Sequence, residues 1–569
     1  MQQLGSWRLL LLPLTVLIAA CAAQPQAAVS TADTRTAVET KPSRVLSVVV
    51  RTEPFDLTDN ASGRNRITIS LFTAGLANLD HNAPTPVLAQ TLPTLGTESW
   101  KVADDGSMET SYQLRPSLRW HDGTSLKASD FAFAYRANQL RFEWGLSTSS
   151  IDLAEHKAIA DVVASDDTTL VIRWKAPYAP AATPSLLPLP AHILAPIAEQ
   201  GSEAFGSNPY WTTQFVAAGP YLLTEWEPGA YLLGSAFDGY VLGRPKIDSV
   251  RVTWSADENA TLGRLLAGDA DIAVDDAVGY PQGAVLRTQW GADNRGIVLL
   301  SPASLRHLQV QFRPNIVNPA AVLDLRVRKA IASSLDRQAL VDALVDGLGI
   351  PTDNIGLPTS TYYSQVQQVA TKYPHDASLV EQNLTEAGFS RGSDGSWQNT
   401  SGRFSPQVLG IAEGQEGQET TIVVDMLRQV GIDAQLNLVS GALLQRDDEM
   451  KSTFPALRTN YITAEDGIVS RLVTSEISGP DNRWGAKNKA GYTNAEHDRL
   501  YEQWRRALDT NERNQIMVQL IAFYTQQLPV IPTYINVGVI PHTAALQGPL
   551  PVTHDTTPYS NVHLWTWTS

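Results

Sequence analysis

The stretch Tyr112-Gln113-Leu114-Arg115-Pro116-Ser117-Leu118-Arg119-Trp120-His121-Asp122-Gly123-Thr124, running on to Ser129-Asp130-Phe131-Ala132-Phe133-Ala134-Tyr135, decides how the rest of the chain is read. Its first residues predict a strand. Asp122-Gly123 predicts a tight turn, Ser129-Asp130 an Asx/Ser cap, and the residues behind them an amphipathic helix. On physical grounds alone His121, Asp122 and Gly123 are turn and cap residues.

Outward from this unit the grammar is mixed. Toward the N-terminus, Val45-Leu46-Ser47-Val48-Val49-Val50 is a short β-branched run that predicts a buried strand and the start of ordered chain. Much of the first half alternates short strands with Gly and Pro turns. Helical patterns concentrate in the second half. Asp336 predicts an N-cap for a helix with Leu340, Val341, Leu344 and Val345 on one face, stopping at Gly347 and Pro351. Asp376 to Ala387 predicts a helix ending at Gly388. Another carries Ile422, Val423, Met426, Leu427 and Val430 and ends at Gly431. About 525 residues follow Arg44, more than one core holds, and no internal repeat is visible. The expectation is α/β with several lobes.

Further blocks follow in a fixed order. They are Leu189-Pro190-Ala191-His192-Ile193-Leu194, Gly219-Pro220-Tyr221, Glu225-Trp226 with Pro228-Gly229, and Gly243 with Pro245-Lys246-Ile247-Asp248. Then come Leu265 with Ala267-Gly268-Asp269-Ala270-Asp271, Asp324-Leu325-Arg326-Val327-Arg328-Lys329-Ala330-Ile331 with Asp336-Arg337, and Leu528-Pro529 with Ile531-Pro532. Together with Trp120-His121-Asp122-Gly123, this series resembles the family 5 extracellular solute-binding proteins of bacterial ABC importers, over residues 45–569. The resemblance implies a two-lobed periplasmic-binding-protein-like fold (type II, cluster C) with an extra subdomain on lobe I. Lobe I is expected from 45–82, 213–285 and 530–569, the accessory subdomain from 83–212, and lobe II from 286–529. It also implies capture of a small solute by hinge closure and delivery to a permease with its ATPase subunits.

Most of the motif residues are expected to be scaffold. His192 reads as a satisfied buried histidine, and Arg326, Arg328, Asp336 and Arg337 as ion pairs or caps. Asp269 and Asp271 read as a loop and a strand start. Peptide-binding members of the family hold the ligand's amine with an aspartate in a Trp-x-x-Asp-Tyr-x-Asp-Pro-like stretch. At the corresponding place this chain has Leu457-Arg458-Thr459-Asn460-Tyr461-Ile462-Thr463-Ala464-Glu465-Asp466, without the tryptophan or the Asp-Pro. The departure tells against peptide specificity, since a ligand ammonium left unpaired costs roughly 3–5 kcal/mol; Glu465 or Asp466 is the residue the resemblance offers as the amine-binding acid. The resemblance places Glu53 and Phe55 on the cleft floor and makes Arg458, Tyr461 and Trp484 the lobe II candidates. The expected ligand is a small peptide or peptide-like solute, with an oligosaccharide or a nickel-type chelate as alternatives.

The N-terminal end points to export. Met1 to Arg8 carries one basic side chain, and Leu9 to Ala20 carries no charge. An apolar run of roughly a dozen residues is too short to span a bilayer and suits a signal peptide. Ile18-Ala19-Ala20-Cys21 resembles a lipobox, which implies acylation of Cys21, the only cysteine of the chain. Residues 1–20 are then removed. Residues 21–44, rich in Ala, Gln, Thr and Ser, are expected to be a flexible tether. The protein is expected in the cell envelope, lipid-anchored on the outer face of the cytoplasmic membrane or in the periplasm, as a monomer.

Removing Arg8 with the leader leaves 42 basic against 58 acidic residues, which argues against nucleic acid as a partner. No His-Glu-x-x-His helix, Walker loop or Gly-x-Gly-x-x-Gly occurs, and no enzyme and no cofactor are expected. A triad assembled only in three dimensions would leave no such mark. The ten histidines include no pair at i, i+4, so no preformed metal site is expected. A docking or signalling lipoprotein of the same fold is a further reading.

Overall fold

The computed structural model of the chain describes residues 44–58, 66–80, 83–146, 153–551, 553 and 557–568. The expected signal peptide, Cys21 and all but the end of the tether lie outside them. The run at Val45 forms a strand, β1 (Leu46–Val50), with every side chain but Ser47 buried. Val48 and Val50 pack into one apolar cluster and Val49 into another, which explains a run apolar on both faces.

β1 is one strand of an eleven-stranded sheet. Nine others are β2 (Tyr221–Glu227), β3 (Tyr231–Ala236), β4 (Ser249–Trp254), β5 (Ile272–Ala273), β6 (Gly296–Val310), β7 (Gln407–Ile411), β8 (Gln435–Val439), β9 (Leu457–Ile462) and β10 (Val530–Thr543). The order across the sheet is β8-β7-β9-β6-β10-β5-β1-β4-β3-β2, with Ile350–Pro351 added to β10. Lobe I holds β1 to β5 and lobe II holds β7 to β9. β6 and β10 join them as one antiparallel ribbon, in register from Gly296 opposite Thr543 to Gln309 opposite Val530. The register shifts between Pro302 and Leu305 and again between Arg306 and His307. Extra residues of this kind bend a strand locally. Beside the bend stands Gly538, where a Cβ would lie 2.9 Å from that of Ala303.

The opening motif belongs to a separate five-stranded sheet that includes Met108–Leu114 and Thr169–Trp174, with helices α1 (Ala128–Glu143) and α2 (Ala191–Ala198) beside it. Asp122-Gly123 makes the expected turn, with Gly123 at φ +85°. The cap differs from expectation: Ser129 makes no cap, and Asp130 reaches back from the first turn. Its Oδ2 accepts from the Lys127 amide at 2.9 Å and from Trp120 Nε1 at 3.3 Å, and its Oδ1 from the Ala191 amide at 3.1 Å. One buried carboxylate therefore ties turn, α1 and α2 together. His192 is exposed rather than buried, because the first turn of α2 points it outward, where Nε2 meets Asp122 Oδ2 at 2.7 Å.

Lobe I carries α3 (Glu258–Ala267) and α4 (Tyr280–Asp293). Lobe II carries α5 (Leu325–Ser334), α6 (Arg337–Val345), α7 (Ala377–Glu386), α8 (Gly414–Gln429), α9 (Ala495–Arg506) and α10 (Thr510–Gln527). The helix starts read at Asp336 and Asp376 form as caps, and Asp324 caps α5 as well, each accepting from backbone N–H groups of the first turn. In α6 the four predicted face residues are buried, each worth about 1.5–3 kcal/mol. Arg326 pairs with Asp324 as expected. Arg328 and Arg337 do not pair with acids. Arg337 donates to the carbonyls of Ala332, Leu335, Thr352, Tyr373 and Pro532, and Arg328 to those of Val322, Leu323 and Gln527. Their burial leaves them beside backbone ends rather than carboxylates.

Two expected boundaries fall inside elements. Position 286 lies within α4, and position 83 opens the second strand of the hairpin Ala77–Asp80 with Ala83–Pro86. Among the described residues no helix is long and apolar enough to cross a membrane.

Candidate functional site

Ligands of open α/β sheets bind outside the carboxyl ends of strands. Here the ends of β1 and β5 from lobe I and of β7 and β9 from lobe II converge on the bend of the ribbon. Arg51 follows β1 directly. Glu258 opens α3, Asp276 lies between β5 and α4, and Glu413 and Glu416 lie at the start of α8. With Ser304 and Arg306 of β6, Tyr461 of β9 and Asn536 to Val539 of β10, they line an opening continuous with solvent.

The lobes touch at this opening. Glu258 of lobe I reaches α8 of lobe II so closely that a Cβ on Gly414 would lie 3.3 Å from Oε1, and one on Gly279 2.8 Å from Oε2. Gly414 also holds φ +61°, a conformation that favours glycine. Burial pushes the Glu258 carboxyl up, against the pull of Arg51 and with the push of Glu416. Its Oε2 is buried without a hydrogen-bond partner.

The two arginines of the opening are held differently. Arg306 is buried, bonds Glu419, stands 3.7 Å from Glu416 and lies over the Tyr461 ring at 5.1 Å. Arg51 has no ion-pair partner among the described residues. Burial works against its charge, but Glu416, Tyr461, Glu258 and Asp276 more than restore it, and its pKa is raised. Tyr461 is 39% exposed toward the opening, yet the surrounding walls desolvate its hydroxyl. That desolvation, with Asp276 and Glu416, pushes its pKa up to about 12.

The opposite face of the same strands is different in kind. Cross-strand pairs share a face, so Arg306, Leu308 and Val310 lie with Tyr461, Thr459 and Leu457, toward the helices. Leu305, His307 and Gln309 lie with Ile462, Asn460 and Arg458, on the other side. Arg458, His307 and Gln309 are all buried. Arg458 donates from Nη1 to the Lys451 carbonyl at 2.9 Å, but its Nε, His307 Nδ1 and Gln309 Oε1 have no hydrogen-bond partner. Burial pulls the Arg458 pKa down to about 10, and that of His307 to about 3.

The seven residues singled out in the sequence scatter over this geometry. Tyr461 lines the opening and Arg458 faces away from it, since neighbours three apart on a strand point to opposite sides. Glu53 accepts from Trp226 Nε1 at 3.2 Å and from the Gly229 amide at 3.0 Å, pinning its loop to the β2–β3 turn. Phe55 is 72% exposed. Glu465 is buried and accepts from the Leu357 amide, Ser360 Oγ and Tyr362 OH at 2.8, 2.7 and 2.6 Å, a bracing role that occupies both oxygens. Asp466 is exposed on a short helix and accepts from the Gly467 amide. Trp484 is half-buried, with Arg313 5.9 Å over its ring. The sequence reading missed Arg51, Glu258, Asp276, Arg306, Glu413 and Glu416. The signal that marks five of them is position, at a strand's carboxyl end or a helix's first turn. Among the described residues no group of three His, Cys, Asp or Glu could hold a metal ion.

Comparison with known proteins agrees with this geometry. A profile of the bacterial extracellular solute-binding proteins, family 5, matches residues 91–472, well over half of the chain. The glutathione-binding protein GsiB of Shigella boydii is 27% identical over 514 residues, covering 87% of this chain and 89% of that one. Protein XP55 of Streptomyces lividans is 26% identical over 443 residues, covering 75% and 72%. NikZ of Campylobacter jejuni, solved with Ni(L-His), superposes with a TM-score of 0.76 at 19% identity, over 92% of this chain and all of that one. The oligopeptide-binding protein of Thermus thermophilus, solved with a pentapeptide, gives 0.75 at 21% identity, over 92% and 96%.

Proposed function

We propose, from the premise that this chain belongs to the family 5 extracellular solute-binding proteins of bacterial ABC importers, that it captures a small peptide or peptide-like solute between its lobes and delivers it to a membrane permease. The observation that carries the reading is Arg51, a cation without an ion-pair partner at an opening that also holds Glu258, Asp276, Glu413 and Glu416. A peptide brings an ammonium for those carboxylates and a carboxylate for Arg51. Glutathione, which the relatives of Shigella and other bacteria bind, is a tripeptide with groups of both kinds. An uncharged oligosaccharide would leave these groups unmatched.

A solute bridging Arg51 of lobe I and Glu416 of lobe II stabilises closure through contacts that exist only when the lobes meet. The protein binds without turnover, and the energy for import comes from ATPase subunits beside the permease. Acylation of Cys21 anchors it, with residues 22–43 as the tether, so that the folded body works at the outer membrane surface of the importer.

Thermal unfolding of the protein from residue 22 onward, with separate pools of peptides, oligosaccharides and nickel–histidine, tests the reading. A ligand at 100 times its dissociation constant adds about 2.7 kcal/mol of stability. The expected result is a rise with peptides that Arg51→Gln removes. A rise only with sugars or the nickel chelate would replace the ligand class, and no rise with any pool would contradict solute capture.

A further inference from the structure

We propose that the opening between the lobes selects solutes of net positive charge, such as a peptide with a cationic side chain besides its terminal ammonium, and that Asp276 and Glu416 together hold the extra cation. The inference rests on the solute-capture reading and narrows its ligand class.

The charges at the opening do not balance. Its lining includes the acids Glu258, Asp276, Glu413 and Glu416, and the bases Arg51 and Arg306. Arg306 is already engaged by Glu419 and, at 3.7 Å, by Glu416. That leaves Arg51, on which Glu416, Glu258 and Asp276 all act. A zwitterionic peptide adds one charge of each sign and leaves the excess of carboxylates as it was. Charges shut away from water are tolerated when paired and costly when not. Closure on a zwitterion therefore brings carboxylates of both lobes together with too few cations among them. One more ammonium or guanidinium on the solute answers that excess.

The four acids are not equally free to take it. Glu413 accepts from the Gly441 amide at 2.8 Å. Glu258 is enclosed by Gly279 and Gly414, with Oε2 buried. Asp276 is exposed at the opening and makes no hydrogen bond or ion pair among the described residues. The turn that carries it is unusual: Asp275 and Asp276 hold φ of +51° and +60°, a left-handed region that aspartate tolerates better than most residues. Such conformations cluster at ligand sites. Asp275 faces inward, accepts from the Ile67 amide at 2.9 Å and from Tyr559 OH at 3.2 Å, and pairs with Arg66 at 3.4 Å. With the first aspartate pinned, the second is left at the surface.

Glu416 stands in the first turn of α8, where the helix amides favour a negative charge. Asp276 and Glu416 come from opposite lobes yet act on the same three groups, Arg51, Glu258 and Tyr461. A cation between them touches both lobes at once, and so favours the closed arrangement. The opening also keeps polar atoms for the uncharged parts of a solute. Arg306 is 3% exposed, and its Nε has no partner; neither has Glu258 Oε2.

Calorimetry at neutral pH tests this with trialanine, alanyl-lysyl-alanine, the same peptide acetylated on its lysine, alanyl-glutamyl-alanine and 1,5-diaminopentane. The proteins are the wild type, Asp276→Asn and Glu416→Gln. The wild type should bind the free-lysine peptide about tenfold or more tighter than the acetylated one, which keeps its length, and the glutamyl peptide least. Either substitution should reduce the lysine preference to about threefold or less, and added salt should weaken it in the wild type. Unfolding curves of the same variants separate loss of binding from loss of fold. Equal binding of the lysyl, acetylated and glutamyl peptides by the wild type would overturn charge selection and leave solute capture standing. A lysine preference that survives in both variants would overturn the place assigned to the cation. If no peptide binds but 1,5-diaminopentane does, and loses affinity in Asp276→Asn, charge selection stands and the peptide reading falls. If no probe binds, both fall.

Discussion

Arg306 and Arg458 sit on the same pair of strands, on opposite faces, and both are buried. Arg306 is met by Glu419 and Glu416 and held charged above its ordinary range. Arg458 meets a backbone carbonyl and is pulled down to about 10 by burial, while each of the two leaves its Nε unpaired. The same residue type thus serves two ends. On the helix face the charge is already answered, so it fixes the ribbon where the lobes join. On the other face a backbone carbonyl meets the guanidinium, with Glu416 and Asp448 acting on it only at longer range.

The largest effect that can break this comparison is on stability. Glu419→Gln leaves Arg306 with a weaker partner in a closed interior, and should cost about 3–5 kcal/mol in denaturant unfolding. Arg458→Gln removes a guanidinium with no ion-pair partner among the described residues, and should change stability by less than about 1 kcal/mol. Equal costs for the two would erase the distinction between the faces.

Next comes pH. His307 is neutral in the fold, with a pKa near 3 caused by burial and reinforced by Arg458, Arg306 and Arg471, against the Leu305 carbonyl. In the unfolded chain a histidine titrates near about 6.5. As pH falls below that value the unfolded state takes up a proton that the fold refuses. Stability is therefore full above about pH 6.5 and declines by up to about 1.4 kcal/mol per pH unit toward pH 3. His121 and His156 contribute in the same sense. The difference between the wild type and His307→Asn in unfolding at successive pH values isolates this one residue. A slope unchanged by the substitution would mean that His307 is solvated.

Smaller effects sharpen the picture. Lys157 to Glu476 and Arg505 to the Ala154 carbonyl, at 3.1 Å each, join the segment at 154–157 to those at 476 and 505. Lys157→Ala should leave stability within about 1 kcal/mol, read by denaturant unfolding, as expected for a half-exposed ion pair. The least is Tyr461→Phe. Its hydroxyl makes no hydrogen bond among the described residues, so stability should stay within about 0.5 kcal/mol. The slow titration of one tyrosine near about pH 12 should disappear from the ultraviolet spectrum.

What was readable in the sequence was local. Asp336 and Asp376 cap helices through their own neighbours, and the Gly347 and Gly388 stops need only a positive φ. The order of the family's blocks carried the two-lobed fold. The site was less legible because its members come from seven places in the chain. Glu465 looked like an acid waiting for an amine, yet Leu357 and Tyr362, more than 100 residues away, occupy its oxygens. His192 was read as buried, and only the direction of α2 shows it exposed. Arg458 and Tyr461 were grouped together, although the alternation of a strand at 457–462 sets them on opposite faces. That parity was present in the sequence once the segment is known to be a strand.

The most direct test of the account is a distance between the lobes. Ala260 on α3 and Gln418 on α8 are exposed, and the protein from residue 22 onward has no cysteine of its own, so a pair of cysteines there can carry spin labels. With the peptide that raises the unfolding temperature, the account predicts one narrow distance, set by the contact of Glu258 with Gly414, and without it a longer and broader distribution. The same distribution with and without the peptide would contradict capture by closure.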